Sequence, residues 1–127
     1  MKPAGSPNSV WRCVLGCLCA AAWIAAFVAT HLPPRDLPAV EISDKVLHSA
    51  GFAGLSALLT LTLAVFGLAR WRRIPLAIGL IILYAAVDEI TQPLVHRTAD
   101  VHDFLADALG GLLALVVCEL LLALRRP

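Results

Sequence analysis

"IPLAIGLIILYAAVDEITQP", residues 74–93, decides how many helices this chain contributes to its fold. The uncharged part, residues 74–87, is 14 residues long. As a helix it covers about 21 Å, well short of the roughly 30 Å hydrocarbon core of a bilayer. The stretch crosses a membrane only if Asp88 and Glu89 go in with it. Pro93 ends or kinks the helix. The two carboxylates therefore fall at the end of a span, a turn or two below the headgroups.

The rest of the chain supplies the context that makes this reading the economical one. Of 127 residues, 60% are hydrophobic and 15% charged, and the mean hydropathy is +0.84. An ordinary soluble domain is about 45–50% apolar. Residues 13–30, 49–69 and 104–124 form three more apolar runs, the last broken only by Asp107 and Glu119. The expectation is an all-α polytopic membrane protein, a bundle of four transmembrane helices in a single domain over residues 1–127, its first span at about 11–31. A cleavable signal is the rival reading of that first run. Its core exceeds the ~7–15 residues usual for a signal, and "FVATHLPPRD" has no clean small-x-small site. "VLGC", residues 14–17, is no lipoprotein box, since the apolar stretch follows the cysteine. Cys13, Cys17, Cys19 and Cys118 all lie inside apolar runs and read as small packing or lipid-facing residues, not a disulfide framework.

Basic residues set the orientation. Lys2, Arg12, Arg70, Arg72, Arg73, Arg125 and Arg126 fall on one side; Arg35, Lys45 and Arg97 fall on the other. Both termini are expected in the cytoplasm of a bacterial cell, with the chain in its inner membrane and the loop around residues 93–100 outside. The formal charge of +1 gives no reason to expect a nucleic-acid partner.

That outer side is where the charges gather. A carboxylate at a span's centre costs about 2.5–3.5 kcal/mol on insertion scales, so acids near the membrane are expected to face a partner. Asp103, Asp107, Gly110 and Ala114 share one helical stripe, and small residues such as "ALGG" at 108–111 let helices approach closely in lipid. Asp44 and His48 are four apart, Lys45 and His48 three; Asp88 and Gln92 are four apart, Glu89 and Gln92 three. Three helices thus carry polar groups at the same end, and one outward-facing pocket collects Asp44, Lys45, His48, Asp88, Glu89, Gln92, Arg97, Asp103 and Asp107. Arg97, the one basic residue of its loop, is expected to neutralise several of these acids. Glu119 is expected to pair at the opposite face, within two turns of Arg125.

Simpler roles compete for some of these residues. Asp44 and Asp100 stand at helix starts and serve as caps; Lys45 snorkels; His96 and His102 are solvated. "HRTADVHD", residues 96–103, brings His96, Asp100, His102 and Asp103 close in sequence. It lacks tight ligand spacing and a nearby cysteine, so neither a metal nor a cofactor is expected. No G-x-S-x-G occurs. Chemistry, if any, is acid–base work by Glu89, His48 or Asp103.

"DKVLHSAGFAGL" at 44–55 and "DEITQPLVHRTADVHDFLADALGG" at 88–111 together resemble the VanZ-like family of small bacterial membrane proteins. The family pattern is Asp-Lys-x-x-His-x-x-x-Phe, then Asp-Glu-x-x-Gln, an Arg, and an Asp entering the final helix. Asp44, Lys45, His48, Phe52, Asp88, Glu89, Gln92, Arg97 and Asp103 match it, and the likeness runs from about residue 44 to 124. The chain departs from it at His96, where glycine is usual, and at Asp107, where asparagine is expected. The resemblance implies an integral cell-envelope protein, the founding member being associated with glycopeptide resistance, teicoplanin above all. It carries no settled activity. Expected partners are the lipid bilayer and a lipid-linked envelope precursor or glycopeptide-related ligand, the oligomeric state being open. Three function classes follow: an accessory protein binding an amphiphile, an enzyme acting on a lipid headgroup, and an ion-coupled carrier. Four short spans without evident repeats disfavour the last.

Overall fold

In the computed structural model, residues 7–32 and 43–124 are described. Four helices follow one another: α1 (Pro7–Thr30), α2 (Asp44–Val65), α3 (Arg70–Thr91) and α4 (Val101–Leu124). A short 3-10 turn, Gln92–Val95, follows α3. All four are long and apolar enough to cross a membrane.

The short third run gains length at both ends. α3 starts at Arg70, so Arg70, Arg72 and Arg73 lie in its first turn. The turn between α2 and α3 shrinks to residues 66–69, where Gly67 takes a positive φ of 82° that side chains rarely adopt. At its far end α3 carries Asp88 and Glu89 inside the helix and stops just before Pro93. A helix of 22 residues reaches about 33 Å, enough to cross.

The seam between α2 and α4 is the closest in the bundle. A Cβ on Gly110 would collide with the backbone of Ser49, meeting its carbonyl oxygen and lying 2.8 Å from the carbonyl carbon. One residue on, the Ser56 hydroxyl donates to the Gly111 carbonyl at 2.7 Å. Asp103, Asp107 and Gly110 are buried, while Leu109 and Leu113 are 67% exposed, so the stripe read from the sequence does face the bundle. Phe52, Leu59, Ala77, Ile81, Ala85 and Leu115 fill the space where α3 closes over the seam.

α1 leans on this three-helix unit from outside. Among its described residues Cys19 alone is buried. Tyr84 of α3 holds α1 in place: its hydroxyl donates to the Trp23 carbonyl at 2.7 Å, and its ring meets Trp23 edge-on at 4.6 Å. Cys13 and Cys17 are exposed, Cys118 half-buried, and all four cysteines are free. Lys2, Arg35, Arg125 and Arg126 of the orientation argument lie outside the described residues.

Charge inside the bundle is handled differently at its two ends. Where α3 begins and α4 finishes, Arg73 grips Glu119 with two bonds, Nε at 2.6 Å and Nη2 at 2.9 Å. Arg70 stands 3.4 Å from the same carboxylate. Glu119 is thus paired at this end, as expected, and among the described residues its partners are Arg73 and Arg70 of α3; Arg125 lies outside them. The antiparallel pairing of α3 and α4 brings these groups together across 46 positions of sequence.

Candidate functional site

The opposite end gathers the carboxylates in two layers. The inner layer is buried and drawn from three helices: His48 of α2, Asp88 and Glu89 of α3, and Asp107 of α4. Each offers one ligand-type atom, and the four atoms lie within 4.8 Å of one another. His48 Nδ1 stands 3.1 Å and 3.3 Å from the two Asp107 oxygens. Asp88 accepts from the Thr30 hydroxyl at 2.6 Å and from Gln92 Nε2 at 3.1 Å. Glu89 accepts the backbone N–H of Asp100 at 2.8 Å and, more weakly, Gln92 Nε2 at 3.4 Å.

The outer layer is wetter. Lys45 donates to Asp103 at 2.9 Å and to Asp100 at 3.3 Å. Asp100 stands just before α4 and accepts the His102 N–H at 2.8 Å, an N-cap bond. That backbone bond, the His102 ring and Lys45 together hold the Asp100 carboxyl down at about 2. Asp44, the other cap candidate, is the first helical residue and does not cap: Ser43 holds the cap position without a side-chain bond. Arg97 reaches Asp44 at 3.9 Å, and among the described residues that is its only ion pair.

The expectation that Arg97 neutralises the inner acids is therefore overturned, and Lys45 serves Asp103 instead. The cause is backbone geometry. The 3-10 turn ends on His96 in the left-handed region, φ 63° and ψ 28°, and this reversal directs Arg97 toward the start of α2. His96 itself is exposed and joins no cluster. His102 is 69% exposed and bound to Asp100, so "HRTADVHD" does not assemble as a unit.

Two contributors lie outside both motifs. Thr30 and His31, at the end of α1, reach into the inner layer. His31 stands 3.7 Å from Asp88 and bonds Thr91 through Nε2 at 2.8 Å. Its Nδ1 faces the Phe27 carbonyl at 2.8 Å and so carries a proton. The signal was present in "VATHLPP": in an up-and-down bundle the end of the first span lies beside the start of the second.

Beside this end a cleft of about 320 Å³ opens between α1 and α2. Ala26, Ala29, Leu47, Phe52 and Leu55 make its apolar length, and Thr30, Asp44, His48 and Arg97 its polar part. Of the sequence candidates, then, His48, Asp88, Glu89, Gln92 and Asp107 come together in one buried group. Lys45 and Asp103 form a pair above it, and Asp44 and Arg97 a loose pair on the cleft.

The family model described as VanZ/LLP1 matches residues 8–122. The chain belongs to the VanZ/LLP1 family. The match takes in α1, which neither sequence motif touches. No curated protein and no solved structure matches the chain. Family membership together with four span-length apolar helices makes this a VanZ/LLP1 multi-pass membrane protein.

Proposed function

We propose that this VanZ/LLP1 chain binds an amphiphilic component of the bacterial cell envelope, its tail in the α1–α2 cleft and its headgroup at Arg97, Asp44 and His48. The observation that carries this reading is the cleft itself, apolar along its length and ending in charge. A cleft with an aliphatic stem and a charged end suits a lipid. Arg97, whose one ion pair among the described residues is a 3.9 Å contact to a carboxylate 59% exposed, has donors to spare for an anionic headgroup. In this reading both termini are cytoplasmic, the charged end faces outward from the inner membrane, and the occupant is a lipid-linked precursor or a glycopeptide-related amphiphile. Sequestering such a molecule would alter glycopeptide sensitivity, the phenotype the family's founding member suggests.

The test is mass spectrometry of lipids retained by the detergent-purified protein. Gly51 lines the cleft and has nothing within 4 Å of where a Cβ would stand, so Gly51→Leu fills the space without straining the fold. One lipid class enriched on the wild type and lost from Gly51→Leu is expected. Identical lipid profiles for the two proteins would remove the reading. A second reading, acid–base chemistry on the headgroup, is favoured by one contact: His48 borders the cleft while bonded to buried Asp107, the arrangement of an oriented general base. Turnover of an envelope lipid, abolished in Glu89→Gln, would establish it.

A further inference from the structure

We propose that His48, Asp88, Glu89 and Asp107 form the binding site of one divalent cation. Charge makes the first part of the case. Three carboxylates and one imidazole are buried together in the membrane-spanning part of the bundle. Lys45 is committed to Asp103 and Asp100, Arg97 to Asp44, and Arg70 and Arg73 stand at the far end of α3. His31, 3.7 Å from Asp88, is the nearest further cationic candidate. The donors that reach the three acids are otherwise neutral: a hydroxyl, an amide side chain and a backbone N–H. Buried carboxylates so placed must take up protons or hold a cation.

Geometry makes the second part. On one ion with bonds of about 2.1 Å, neighbouring ligands stand about 3 Å apart and opposite ones about 4.2 Å. The His48–Asp107 separation of 3.1 Å is a neighbouring pair, and the whole set lies within 4.8 Å, so the side chains close by about 0.6 Å or more to meet one ion. The surroundings supply the outer partners that metal ligands carry. Thr30 and Gln92 fix Asp88, and the Asp100 N–H fixes Glu89. His48 Nε2 faces the Asp44 carboxylate at 3.9 Å, leaving Nδ1 on the side of the acids. One imidazole nitrogen with three carboxylate oxygens suits Mn²⁺, Fe²⁺ or Zn²⁺ better than the all-oxygen preference of Ca²⁺ or the thiolate preference of Cu(I). Because His48 also lines the cleft, the ion borders the place where a headgroup would lie. Its existence does not depend on any amphiphile being there.

The experiment needs no lipid and no activity. Detergent-purified protein is stripped with chelator, dialysed against Mn²⁺ or Zn²⁺, freed of excess, and its metal measured by mass spectrometry. One ion per chain is expected, with a rise in melting temperature that EDTA reverses. Asp107→Asn keeps the shape of the side chain and should lower occupancy at least tenfold, while Asp103→Asn, in the outer Lys45 pair, should retain the ion. Pulsed electron paramagnetic resonance of the Mn²⁺-loaded wild type should show coupling to one imidazole nitrogen, a readout that needs no variant to fold. A wild type that binds no stoichiometric ion, which is what a purely protonated cluster predicts, overturns the proposal. So do full occupancy in Asp107→Asn and Mn²⁺ without a nitrogen coupling.

Discussion

Replacing Gly110 by alanine adds one methyl group, and its effect has opposite signs in the two places such a glycine can occupy. On a lipid-facing surface the change removes glycine's backbone freedom and gains about 0.8–1 kcal/mol. Gly54 and Gly79 are such positions, helical with nothing within 4 Å of an added Cβ. At Gly110 the methyl meets the Ser49 backbone, with the Ser49 Cα at 2.9 Å and the carbonyl carbon at 2.8 Å. Backbone cannot rotate away as a side chain can, so α4 has to move off α2. Overpacking of this kind costs about 1–3 kcal/mol. A displacement of about 1 Å also pulls the Ser56–Gly111 bond, now 2.7 Å, and the His48–Asp107 contact, now 3.1 Å, beyond hydrogen-bond range. Each such loss adds about 0.5–1.5 kcal/mol. Setting the propensity gain against these terms leaves Gly110→Ala less stable by about 3 kcal/mol, or roughly 10 °C in melting temperature. Thermal unfolding in detergent, with Gly54→Ala and Gly79→Ala measured beside it, reads the sign directly. If Gly110→Ala melts with those two controls, the α2–α4 seam is not where it has been placed, and the inner carboxylate layer loses its geometry with it.

His96→Gly should stabilise the protein by about 0.5–1 kcal/mol, since an exposed side chain loses little and the left-handed backbone at φ 63° is relieved; a denaturation midpoint that falls would contradict this. Arg73→Ala should cost about 3 kcal/mol by removing the two short bonds it makes to Glu119, a carboxylate only 4% exposed. A double-mutant cycle with Glu119→Gln should give an interaction energy well above the roughly 0.5 kcal/mol scatter of independent sites, and additivity would show that the two residues are not coupled. Single cysteines on a cysteine-free background should label from outside intact cells at position 99, and only after permeabilisation at position 72, both exposed positions; the reverse pattern would invert the proposed orientation.

What was legible in the sequence follows from how each feature is encoded. Span number depends on run length, a one-dimensional property, and even the deficient third run announced that Asp88 and Glu89 go inside the helix, as they do. The Asp103–Asp107–Gly110 stripe depends on helical period alone, and it faces α2. Pairing is another matter. Which cation meets which acid depends on how loops return the chain, and the left-handed His96 turned Arg97 away from the acids it was expected to neutralise. Glu119 was placed in a pair at the opposite face, but that Arg73 grips it from across the bundle follows only from the antiparallel packing of α3 on α4. Setting the two ends side by side brings out a difference in electrostatic design. At one end a buried acid receives a guanidinium in fork geometry, the arrangement that offsets desolvation most fully. At the other, Asp88, Glu89 and Asp107 share neutral donors and an imidazole, although Lys45 and Arg97 stand at the same end and are spent on the outer acids. A bundle built only for stability would carry asparagine or leucine at such positions. Retaining three carboxylates there costs folding energy, and that cost is offset only if something from outside the chain, a proton or a cation, comes to the group.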